Sequence, residues 1–129
     1  METLTTFHAH MRDVLLLVAG LSTLLPIISV VQKKELNAIA KIVIRSYAIV
    51  ITVQFLTGLT QLIMRWSDFG DGARQRLEHA GLMLLAVAIV HIGQKYLRVP
   101  APRGPRNTAI MMGGSLIIMV LGIFMIQLA

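Results

Sequence analysis

Three stretches of the chain are apolar almost without interruption: Val14–Val31, Leu77–Ile92 and Thr108–Leu128. A fourth, Ala38–Met64, is as long but carries Lys41, Arg45, Gln54 and Gln61. With their flanks, each supplies the roughly 20 residues that a helix needs to cross a bilayer. The pattern predicts an all-α integral membrane protein, a four-transmembrane-helix bundle. Its helices fall near residues 8–31, 37–64, 76–98 and 107–128, antiparallel between neighbours. The short connections leave no room for a soluble domain, so 1–129 reads as a single four-helix membrane domain. Pro26, about a turn from the end of the first helix, predicts a modest kink. Pro100, Pro102 and Pro105 should stop the third helix from running on.

Composition agrees with a lipid solvent. Hydrophobic residues make up 56% and charged residues 14%, against about a quarter charged in a soluble domain. The N-terminal METLTTFHAHMRD has no basic cluster, and no small-residue cleavage site follows the first apolar run. That run therefore reads as a retained helix rather than a signal peptide. The absence of cysteine excludes disulfides, iron–sulfur clusters, thiolate metal sites and covalently attached c-type haem.

Charge is distributed by side. Lys33, Lys34, Lys41, Arg45, Lys95, Arg98, Arg103 and Arg106 fall at one end of the bundle, with Glu35 as its one acid. The other end holds Arg12, Arg65, Arg74 and Arg76 with Glu2, Asp13, Asp68, Asp71 and Glu78. Cytoplasmic loops are enriched in Lys and Arg, so the first end should be cytoplasmic and both termini outside. The same distribution explains the basic excess without nucleic acid. Trp66 and Phe69, in the outer connection, are candidate interface anchors. Lys41 and Arg45 share a face of the second helix. They read as snorkelling to the interface, with an acidic headgroup or a partner's carboxylate as the functional alternative.

Four histidines carry the candidate chemistry: His8, His10, His79 and His91. His79 and His91 are separated by about 18 Å of rise and about 120° of rotation, so one iron cannot bind both. The first and third helices run parallel, which brings His79 level with the first helix's histidines. His8 and His10 are about 200° apart, so one of them faces inward. Arg12 shares the face of His8 and suits a propionate. The expectation is a bis-imidazole haem b on His8 and His79, with His10 in reserve. A His/Met pair through Met11, Met64 or Met83 is geometrically open. Gln54 should hydrogen-bond another helix. Gly58, on the same face, leaves space for a neighbour or a flat macrocycle.

Set against this is a plainer reading, in which the histidines are helix-end residues of a cofactor-free accessory subunit. A proton-coupled exporter is disfavoured, since no Asp or Glu lies within an apolar core. Nothing resembles a hydrolytic triad.

Three segments together resemble a known family. FHAHMRDVLLL resembles an H-x-H-x-R-x-x-V-L-L opening, VQFLTGL a Q-x-x-x-G-L element, and LEHAGLMLLAVAIVHIG an E-H-x-x-x-M-L-x-A helix. The combination resembles small bacterial four-helix membrane proteins catalogued as cytochrome-b-like. It covers most of the first three helices and the fourth only weakly. The resemblance implies a shared polar set of His8, Arg12, Gln54, Gly58 and His79. It also implies a multi-pass protein of the bacterial cytoplasmic membrane, exchanging electrons with a quinone or with other membrane subunits of an electron-transfer complex. His10 belongs to only some members, and Lys41 and Arg45 lie outside the pattern.

The orientation is open to direct measurement. A reporter active only outside the cytoplasm should report from either terminus; cytoplasmic termini would reverse the assignment.

Overall fold

The computed structural model describes residues 2–128, excluding the side chains of Phe69, Asp71, Gln127 and Leu128. Its principal helices are α1 (Glu2–Gln32), α2 (Ala38–Met64), α3 (Ala73–Gly93) and α4 (Arg103–Leu128). All four are long and apolar enough to cross a membrane, α3 with its 3-10 extension Gln94–Arg98. A short helical turn, Trp66–Phe69, and a 3-10 turn, Gly70–Gly72, join α2 to α3. Trp66 is exposed there, as an interface anchor requires, whereas the side chain of Phe69 lies outside the described residues.

Helix boundaries differ from the sequence expectation in three places. α1 begins at Glu2 rather than near residue 8, since nothing in ETLTTF breaks a helix. α4 begins at Arg103 rather than near 107 and includes Pro105. A proline in the first turn is tolerated because no N–H is needed there. The third span starts three residues earlier than expected and tightens from α to 3-10 after Gly93.

The buried positions show how the helices pack. α1 buries Leu15, Ala19, Ser22, Pro26 and Ser29. α3 buries Met83, Ala86, Val90 and Gly93, and α4 buries Thr108, Met112, Ser115, Met119 and Gly122. In each helix the steps alternate between three and four residues, the seam of a left-handed bundle. Much of the seam is small or polar, while Leu17, Ile39, Ile49, Ile110 and Ile117 point outward. Lipid is as apolar as leucine, so the interior is defined by close packing and hydrogen bonds rather than by hydrophobicity.

α1 packs against α2 and α4, and α3 packs against the same two helices. α1 and α3 are therefore diagonal partners, as are α2 and α4. The second diagonal carries a buried bond between Tyr47 Oη and Ser115 Oγ, 2.8 Å long. Ser115 gives its own proton to the carbonyl of Met112, so the Tyr47 hydroxyl donates.

The connections are set locally. α1 ends with Lys33 at φ 56°, its N–H on Val30 O and that of Lys34 on Ser29 O, a Schellman arrangement. Asn37 caps α2 through Oδ1 to Ala40 N–H at 2.8 Å. Glu35 Oε1 accepts the N–H of Ala101, tying together the two loops at the basic end. Gly104 is required where α4 starts, because a Cβ would collide with the carbonyl oxygen of Val99.

Two substitutions separate these effects in denaturation of the purified protein. Tyr47→Phe should cost about 1 kcal/mol, one interhelical hydrogen bond. Gly104→Ala should cost about 1–3 kcal/mol, because the obstructing atom is backbone. Equal stability of Gly104→Ala and wild type would refute the close approach.

Candidate functional site

A cavity of about 300 Å³ lies at the end of the bundle that carries both termini, and all four helices line it. His8 and Arg12 come from α1, Gln54 and Gly58 from α2, His79 and Met83 from α3, and Ile123 and Ile126 from α4. The two histidines thus reach one cavity from diagonal helices. Of the sequence candidates, His8, His79, Arg12 and Gly58 come together here. His10 is exposed and is not among the lining residues, as the angular separation from His8 requires. Met83 is the only one of the three candidate methionines in the lining; Met64 faces outward.

One turn of α2 holds His8. Gln54 Nε2 donates to the carbonyl of His8 at 2.8 Å, fixing the α1 backbone. The ring nitrogen Nδ1 lies 3.0 Å from Thr57 Oγ1. Thr57 has already given its proton to Gln54 O at 2.9 Å, so neutral His8 must carry hydrogen on Nδ1 and donate it. Gly58 provides room: a Cβ there would stand 2.9 Å from His8 Cε1. The space that the sequence left to a neighbour or a macrocycle is met by the His8 ring.

His79 is fixed by a different helix with the same result. Its Nδ1 lies 2.8 Å from the carbonyl oxygen of Gly122 on α4. A carbonyl has no proton to give, so Nδ1–H is the donor. In both rings Nε2 is left as the unprotonated nitrogen. An Nδ1–H held by a carbonyl or hydroxyl is how proteins orient an imidazole that ligates through Nε2.

His91 takes the opposite form. It is exposed on the outer face of α3, with Nε2 2.7 Å from Thr52 Oγ1. Thr52 donates to Ala48 O, so His91 Nε2 carries the hydrogen and is occupied.

The cavity lining combines cationic, amide and apolar side chains. Arg12, Arg65, Arg76 and Gln61 belong to the lining, together with Leu15, Phe55, Leu62 and other apolar side chains. Arg12 pairs with Asp13 at 3.5 Å and Arg65 with Asp68 at 3.8 Å. Both contacts are partly exposed, and such pairs contribute little. Gln54 Oε1 and Gln61 Nε2 are buried with no hydrogen-bond partner among the described residues. Glu78 turns away to Arg74 at 3.1 Å.

Thr57, Gln61, Arg65, Arg76 and the carbonyl of Gly122 were not singled out by sequence reasoning for this site. Thr57 had a usable signal, lying between Gln54 and Gly58 on one helical turn. The Gly122 carbonyl had none, because every residue carries one.

Fold and site define a class: a multi-pass four-helix membrane bundle with two tautomer-fixed imidazoles facing one cavity from diagonal helices. Compared with protein-family models, curated proteins and solved structures, the chain matches none.

The tautomers are measurable by nitrogen-15 NMR at a pH where the rings are neutral. His8 and His79 should both show protonated Nδ1, and His91 protonated Nε2. Thr57→Val and Gly58→Ala should each disturb the His8 signals and leave His79 alone. Protonated Nε2 in His8 or His79 would contradict the assignment.

Proposed function

We propose that this chain is a b-type haem-binding membrane subunit that takes part in electron transfer within a larger respiratory or photosynthetic complex of a bacterial cytoplasmic membrane. The observation that carries the reading is the pair of histidines lining one cavity from opposite helices, each with Nδ1–H engaged and Nε2 unprotonated. Two imidazoles alone are too few donors for a typical protein-bound zinc ion. Among the described residues no third His, Cys, Asp or Glu joins them. A porphyrin iron needs only two axial donors.

The remaining lining fits the same group. A cavity of about 300 Å³ is at the lower end of the range for small-molecule sites. The apolar walls suit the ring, and Arg12, Arg65, Arg76 and Gln61 suit its carboxylates. When bound, haem b supplies reversible one-electron transfer.

The chain's own part is to bind and tune. His8 and His79 would hold the haem iron through Nε2, while Thr57 and the Gly122 carbonyl would orient the rings and raise their basicity. Leu15, Phe55 and Leu62 exclude water, and burial of this kind is one lever on a haem potential. Electrons would be exchanged with a quinol or a neighbouring subunit, the basic loops lying in the cytoplasm.

Optical spectra of the purified protein, produced with haem available, test this. Wild type should show a Soret band and a reduced-minus-oxidised α band. His79→Ala should abolish both, and His8→Ala should lose them or leave a five-coordinate, high-spin iron. Arg12→Ala should weaken retention or shift the potential while keeping both ligands. His10→Ala and His91→Ala should leave the spectrum unchanged. A folded wild-type protein without these bands would sink the haem reading in favour of a cofactor-free accessory subunit.

A further inference from the structure

At the basic end a second cavity, of about 260 Å³, is lined by Arg45, Gln94, Lys95, Leu97 and Arg98. It shares no residue with the histidine cavity. Its three cations are brought together by backbone geometry. The 3-10 helix of residues 94–98 has three residues per turn, which aligns Lys95 with Arg98 on one face. Gln94 Nε2 then donates to the carbonyl of Ile44 at 3.2 Å and to that of Val90 at 3.2 Å. The first bond fastens the start of the 3-10 helix beside the residue that precedes Arg45.

No carboxylate belongs to the lining. The ion pairs found among the described residues, Arg12–Asp13, Arg65–Asp68 and Arg74–Glu78, all lie at the opposite end. Glu35, the one acid on this side, takes the N–H of Ala101. Lys95 Nζ stands 5.1 Å from the centroid of the Tyr96 ring, which leaves its charge uncancelled. Three like charges around one cavity repel one another until an anion enters.

The surroundings identify the anion's other half. Arg45 lies about 10 Å along α2 from its start, within reach of the headgroup layer. One turn further on, Ile49 is exposed on α2, and Ile92 is exposed on α3 just before Lys95. By helix rise, both lie nearer the middle of their helices than the cations do. A charged head followed by an apolar track is the outline of a lipid.

We propose that this cavity binds the phosphate of an anionic phospholipid, held by Arg45, Lys95 and Arg98, with an acyl chain along Ile49 and Ile92. The site is independent of haem. Basic pockets between membrane helices take acidic headgroups in this way, each cation near the surface contributing to the attraction.

Native mass spectrometry of the full-length protein in detergent tests it, with phosphatidylglycerol, phosphatidylcholine and inorganic phosphate as separate probes. Wild type should retain phosphatidylglycerol and not phosphatidylcholine. Removing a charge should weaken retention about fivefold, and Arg45→Gln/Lys95→Gln/Arg98→Gln together about a hundredfold. A control of equal charge change, Lys33→Gln/Lys34→Gln/Arg106→Gln, should bind as wild type does. If the first triple variant does not fold, the single variants Lys95→Gln and Arg98→Gln, both at exposed positions, give the reading. Equal retention of the two lipids, equal loss in the control, or no loss in the single variants would overturn the proposal. Displacement of the lipid by inorganic phosphate at equal concentration would also overturn it, by showing a site for free phosphate.

Discussion

Inside a bilayer a polar side chain has no water to fall back on, and several of those buried here turn to a neighbouring helix. Tyr47 reaches diagonally to Ser115, Gln54 to the carbonyl of His8, and His79 to the carbonyl of Gly122. These bonds hold helices that gain nothing from hydrophobicity against a lipid solvent. They also decide the chemistry of the cavity. The bond that fastens His79 to α4 is the bond that clears its Nε2. Packing and tautomer are consequences of one requirement.

That requirement makes α2 the organising helix of the site. Within five residues it grips the His8 backbone through Gln54, accepts the ring through Thr57 and recedes at Gly58 to make room. A larger residue at Gly58 would act on the imidazole first and on helix packing second. His91 shows what the same side chain becomes without this arrangement. Bonded to Thr52 on an exposed face, it spends the nitrogen that the other two keep.

The two ends of the bundle solve opposite electrostatic problems. At the terminal end, arginines and acids are interleaved, and the pairs they form are exposed and weak. At the basic end cations gather with almost no acid beside them, an arrangement that an anionic membrane surface stabilises. The basic cavity and the histidine cavity therefore lie at opposite ends of the bundle.

Hydropathy alone determined that the chain forms four long helices, because about 20 apolar residues can satisfy their backbone in lipid only as a helix. Charge counting separated the two ends, and the parallel run of the first and third helices made His8 and His79 candidates for one depth. The inward faces were not legible: lipid-facing and core-facing positions are equally apolar, so Leu17 and Leu15 look alike in sequence while the first is exposed and the second buried. The face shared with Arg12 already favoured His8 over His10, but the diagonal placement of α1 and α3 and the roles of Thr57 and the Gly122 carbonyl emerged only from the packed bundle. A backbone carbonyl leaves no mark in a sequence. Its direction is fixed by the helix that carries it, and which histidine it meets is fixed by how that helix packs.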